Sequence, residues 1–126
     1  MFYSYELTAT AGGSSSSYQE LDLDLSAGVI HQVDFMFPDD SEKDLHIKVT
    51  RGGHQLWPTN VLGSLKGDNM ILSFREFMEL TSARNNLTLR AWNTHATDDK
   101  IIIINIGILP REIMQPFSIA DMMELL

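Results

Sequence analysis

His31, His46, His54 and His95 are the first residues to weigh for chemistry, since imidazole ligates metals and moves protons near neutral pH. No two of them stand at i, i+2 on a strand or i, i+4 on a helix, the spacings that bring two rings to one ion. The His-x-His of a cupin-type metal site is missing as well. His31 falls on the apolar side of an alternating stretch and reads as a hydrogen-bonded core histidine. The acidic run Asp39-Asp40-Ser41-Glu42, followed by Asp44, could present hard oxygen ligands to calcium. It lacks the Asp-x-Asp-x-Asp-Gly order of a calcium loop and reads as a solvated turn.

Nucleophilic and hydrolytic chemistry finds as little. Glu76 and Glu79 could serve glycoside hydrolysis only if held at a defined separation across a cleft. Beside Phe77 and Met78 they read as a solvated edge. There is no Gly-x-Ser-x-Gly elbow and no glycine-rich phosphate loop. The serines at 14–17 form a low-complexity run, a poor place for a preorganised nucleophile. The chain has no cysteine, which removes thiolate metal sites, disulfides and cysteine nucleophiles together. A non-enzyme with no metal and no cofactor is expected.

Two tryptophans offer binding instead. Trp57, just before Pro58, and Trp92 could stack on a sugar or bury in a protein interface. Core packing is the simpler reading of Trp57. Trp92 shares its strand face with Thr88 and Arg90, so it is either shielded by a loop or exposed for a partner.

The elements that must position these residues follow a period of two. Leu21, Leu23 and Leu25 alternate with Glu20, Asp22 and Asp24, the pattern of a half-buried strand. Val29 to Phe37 places Val29, His31, Val33, Phe35 and Phe37 on one side. Leu45, Ile47 and Val49 alternate with His46, Lys48 and Thr50, and Gly52-Gly53 ends that run. Shorter strands are predicted over His54 to Trp57 and Met70 to Phe74, then Asn86 to Asn93. Arg75 to Ser82 reads equally as a helical turn or as an extension of the strand before it. Lys100 to Leu109 is β-branched on both faces, which suits a central strand covered on two sides or one packed against a partner.

The ends differ from the middle. Phe2 to Thr10 alternates weakly and leads into Gly12-Gly13 and the serine run, a flexible linker or long loop. After Pro110, Ser118 and Asp121 make a capping box, with Ile119, Met122, Met123 and Leu126 at helical spacing. A helix of two turns is marginal alone, so this tail must dock on its own domain or on another chain. The four apolar residues are candidate partner contacts, as are Trp92 and Trp57. The reading is therefore all-β: an antiparallel β-sandwich, best a jelly roll of about eight strands, with a short C-terminal helix. An immunoglobulin-like sandwich is the alternative. The divisions are a strand with a Gly/Ser segment at 1–17, the sandwich at 18–110 and the tail at 111–126.

Composition sets limits on partners. At 126 residues and 14.2 kDa, about two-thirds of the unfolded surface can be buried, enough for one core. Nine Lys and Arg face seventeen Asp and Glu, for a net charge of −8. The bases are scattered, so phosphate contacts have no cluster to serve them and nucleic acid is not an expected partner. No apolar run reaches membrane-spanning length, and Met1 to Ser4 lacks the features of a secretion signal. No membrane association is expected.

GVIHQVDFMFP at 28–38, RGGHQLWPTN at 51–60, LSFREF at 72–77, LTLRAWN at 87–93 and IGILP at 106–110 stand in a suggestive order. Together they resemble small β-rich structural proteins of tailed bacteriophages, of the capsid-decorating kind. DDSEKD at 39–44 departs from that pattern, which has a glycine-rich turn there, and the two ends are not covered. The resemblance implies a virion protein on the capsid surface: a jelly-roll cement or decoration module, a homotrimer, whose partner is the major capsid protein or another virion protein. It carries over no catalytic residue. The alternative from a different class is a carbohydrate- or receptor-binding module, a fibre tip or lectin-like domain. That reading requires Trp57 or Trp92 to be exposed beside Asn60, Asn93 or His95.

Overall fold

The computed structural model describes residues 1–81 and 86–110. The expected terminal helix lies outside them, and with it Ile119, Met122, Met123 and Leu126. The described chain forms eight strands: β1 (Phe2–Ala9), β2 (Gln19–Asp22), β3 (Gly28–Phe37), β4 (Leu45–Arg51), β5 (His54–Trp57), β6 (Met70–Leu80), β7 (Leu87–Asn93) and β8 (Lys100–Leu109). They pair antiparallel in two four-stranded sheets, ordered β1-β8-β3-β6 and β2-β7-β4-β5.

That order is a jelly roll, and it follows from one long folded hairpin. The innermost pair, β4 with β5, closes on Gly52 and Gly53, at φ +56° and +88°. Two successive left-handed residues twist a two-residue turn in the sense that adjacent strands require, and glycine adopts them without steric cost. Working outward, β3 pairs β6, β2 pairs β7 and β1 pairs β8. Alternate pairs roll into opposite sheets, and β8·β3 and β7·β4 join them side by side. The immunoglobulin-like alternative is set aside by this order.

The inner faces supply the core. Ile102, Ile104, Ile106 and Ile108 of β8 and Val33, Phe35 and Phe37 of β3 meet Leu45, Ile47 and Val49 of β4 and Leu87, Leu89 and Ala91 of β7. Leu23 and Leu25 continue the inward phase of β2 beyond its ladder. At Gly28, φ +153°, β3 approaches β8 closely enough that an added Cβ would stand 2.6 Å from Ile108 Cγ2 and 2.8 Å from the Leu109 carbonyl oxygen.

Three expectations change. His31 is not on the core side, because β3 carries a bulge between Ile30 and Gln32. The extra residue shifts the alternation by one. Ile30 stays inside, while His31 is half-buried with its ring edge-on to Phe2 at 6.3 Å. Second, β6 runs to Leu80, so the strand extension holds and the helical turn does not. Third, the segment at 1–17 is built into the sandwich. β1 forms an edge strand, and the Gly12 and Gly13 amides donate to the carbonyls of His95 and Asn93.

Candidate functional site

The outer faces of the two sheets differ in kind. On the first sheet, antiparallel register lines up Glu6, Ile103, Met36 and Ile71 across four strands. Ile101 lies two residues from Ile103 on the same face of β8. Ile71 is 58% exposed, Ile101 44% and Met36 37%, so the row is an open apolar band. The next row, Ser4, Asn105, Asp34 and Ser73, is polar. The β-branched residues read on both sides of β8 are thus explained: one side is core, and the other is this band.

The second sheet is polar outside. Register places Glu20, Arg90 and Lys48 in one row and Asp22, Thr88 and Thr50 in the next. The Arg90 guanidinium donates from Nε to Glu20 at 2.9 Å and lies over the Tyr18 ring. Thr88 donates to Asp22 at 3.3 Å. Beyond this pair of rows a groove of about 440 Å³ opens between the end of β2, the β4–β5 turn and the start of β7.

At the other end of the same face sits Trp92. Its ring is stacked on His46, with centroids 5.1 Å apart and planes 3° from parallel. Lys48 Nζ lies 5.5 Å from the ring centre and donates to the Val61 carbonyl. His46 Nδ1 is 2.9 Å from the Ser64 hydroxyl, and Ile47 bridges Leu65. The loop after Pro58 therefore shields Trp92, which is 8% exposed. Trp57 is 6% exposed and turned inward; its Nε1–H donates to Glu76 at 3.0 Å and its ring meets Phe74 edge-on. Neither indole presents an open face, so both are corrected from partner contacts to packing groups. Asn93 is also interior, which removes one of the three polar neighbours named for sugar binding.

The remaining candidates separate. Glu76 and Glu79 are three apart on a strand, so they point to opposite faces and cannot act as a carboxylate pair. In the acidic turn, the Asp40 amide donates to Asp68 and the Ser41 hydroxyl to the carbonyls of Pro38 and Gly67. His95 Nδ1 accepts from the amides of Thr97 and Asp98, ordering its own turn. Among the described residues no three His, Asp or Glu side chains gather closely enough to hold a metal ion. The groove and the apolar band were missed as sites because each is assembled from strands far apart in sequence.

His46 carries a pH dependence. Burial lowers its pKa from the usual value near 6.5, and the positive charge of Lys66 adds to this, against the raising effects of the Lys43 backbone and Asp44. The unfolded chain then binds the proton more tightly than the folded one. The contribution is fully present above the unfolded value and is lost as pH falls through the folded value. The drop in urea midpoint between about pH 7.5 and about pH 5 should be smaller in His46→Phe, which keeps the stack and cannot titrate. Equal drops in the two proteins would remove His46 as the cause.

No protein-family model matches the chain, and no curated protein matches it. Among solved structures it is similar to part of dimeric latent PorU from Porphyromonas gingivalis, with a TM-score of 0.39 and 11% identity. The likeness covers 85% of this chain and 13% of that one.

Proposed function

We propose that this jelly roll is a non-enzymatic structural module that works by protein–protein contact, decorating or cementing a phage capsid at the virion surface as a homotrimer. The observation that carries the reading is the apolar band of Ile101, Ile103, Met36 and Ile71 on the outer face of the first sheet. Isolated apolar side chains on a surface are ordinary, but a contiguous row across adjacent strands marks an interaction face. The band is flanked by Glu6 and Asp34 on a chain of net charge −8. Its complement is an apolar patch with a basic rim, the chemistry proposed for the shell subunit.

Many weak copies at symmetry-related positions would together hold a shell against expansion. Co-sedimentation of the purified chain with isolated capsid shells should saturate at a copy number fixed by shell symmetry. Ile103→Glu should weaken it by at least about tenfold, since a buried unpaired charge replaces apolar contact. Failure of the natural chain to sediment with shells overturns the reading. Light scattering checks the trimer separately.

A further inference from the structure

The loop at 58–69, between β5 and β6, is held by side chains from two strands. Gln55 Nε2 donates to the carbonyls of Pro58, at 2.7 Å, and Asn60, at 2.8 Å. Lys48 Nζ donates to the Val61 carbonyl at 3.2 Å, and Leu65 exchanges backbone hydrogen bonds with Ile47. The tip is a turn closed by the Gly63 amide on the Asn60 carbonyl at 2.9 Å. Neither central residue has a positive φ, as in a type I turn, which favours asparagine first and glycine fourth. The backbone makes no demand on the two central side chains. They are Val61 and Leu62, 71% and 98% exposed, so a fixed turn holds two adjacent apolar groups out in water.

The apolar band supplies a complement, although not within one copy. Lys48 lies on the outer face of the second sheet, which places the tip on that side, and the band faces out from the first sheet. Contact between two different faces is heterologous, the type that closes copies into a ring. The charges agree as well. Lys48 borders the tip, whereas Asp34 borders Met36 on the same face of β3 and has no ion pair among the described residues. Its polar contact is the Gln32 amide, and Arg75 stands in the Gln32 row, further from Ile71.

Resting on the homotrimer reading above, we propose that the Val61–Leu62 turn of each copy seats on Met36 and Ile71 of the next, with Lys48 facing Asp34. Preorganisation favours this contact, because a turn already ordered loses little further entropy on docking. Ile101 and Ile103 are left open to the shell. A membrane is a poorer occupant, since a chain of net charge −8 is repelled by anionic headgroups.

Light scattering should give the natural chain a three-chain mass, and Leu62→Asp should raise the concentration for half-assembly by about tenfold or more. Leu62 is almost wholly exposed, so that change leaves the fold untouched. Lys48→Glu should weaken assembly several-fold, and adding Asp34→Lys should restore it. The chain has no cysteine, so introduced thiols read the contact directly. Leu62→Cys with Ile71→Cys should cross-link between copies on mild oxidation, whereas Leu62→Cys with Ser4→Cys, on the polar row of β1, should not. A one-chain mass for the natural chain at every concentration overturns the homotrimer and this contact together. A three-chain mass that Leu62→Asp leaves unchanged, with no cross-link between 62 and 71, overturns the contact alone. So does loss of flotation with phosphatidylserine vesicles in a Leu62→Asp variant that stays trimeric.

Discussion

Asn93→Ala should lower the unfolding free energy by about 2–4 kcal/mol, far more than its single amide suggests. The side chain is fully buried at the end of β7, where three segments meet. Its Nδ2 donates to the carbonyls of Ala9, at 3.2 Å, and Asp98, at 2.6 Å. Its Oδ1 accepts from the His95 amide at 3.0 Å. Truncation removes what ties the end of β1 to the 94–99 turn, while Ala9 keeps its ladder pairing with Lys100. A hydrogen bond contributes about 0.5–1.5 kcal/mol net, and here three are lost together. Asn60→Ala is the comparison: its side chain is exposed and should change stability by less than about 0.5 kcal/mol. Urea unfolding of both variants measures the difference. A change below about 1 kcal/mol in Asn93→Ala would falsify its role as a structural hub.

Asn93 also shows where sequence reading stops. Within one strand, alternation is local, so the phases of β4 and β7 are legible from Leu45, Ile47, Val49, Leu87 and Leu89 alone. A jelly roll then follows from strand number and turn spacing. What alternation cannot carry is anything fixed by a neighbour. The bulge that turns His31 outward is a mismatch between β3 and its partners, and no residue on β3 announces it. Arg75 to Leu80 satisfies both a helical and an extended pattern, and only pairing with β3 decides between them.

The surfaces divide the same way. Trp92 was legible as lying on the polar face, but its cover comes from residues near Ser64, nearly thirty positions away. The groove needs β2 beside β7 and β7 beside β4, a fact of topology. In sequence, Asp22 and Asp24 are merely the polar half of an alternation, and Thr50 is one more strand threonine. The apolar band left a partial signal: β8 is apolar on both faces, which required either a second cover or a partner.

Trp57→Ala should cost about 3–5 kcal/mol, because Trp57 closes one open side of the sandwich. It sits at the end of β5, the edge strand of the second sheet, and faces β6, the edge strand of the first. No ladder joins those edges, so side chains must seal them. The indole does so twice, edge-on to Phe74 at 5.3 Å and through Nε1–H to Glu76. Removing it opens the space between sheets to water at Phe74, which lies against Phe35 of the core. Trp57→Phe separates the two parts of the effect. It retains an aromatic ring against Phe74 and loses the donor, so it should cost about 1–2 kcal/mol, the range of a hydrogen bond to a carboxylate that solvent then hydrates. Glu76→Gln keeps an acceptor and should be close to neutral, whereas Glu76→Ala should cost no more once Trp57 is already Phe. Chemical denaturation followed by Trp92 fluorescence, with a double-mutant cycle over residues 57 and 76, resolves these terms. A small loss in Trp57→Ala would mean the edge is sealed by the Phe74 ring and the strands themselves, and the indole would again be a candidate for contact with a partner.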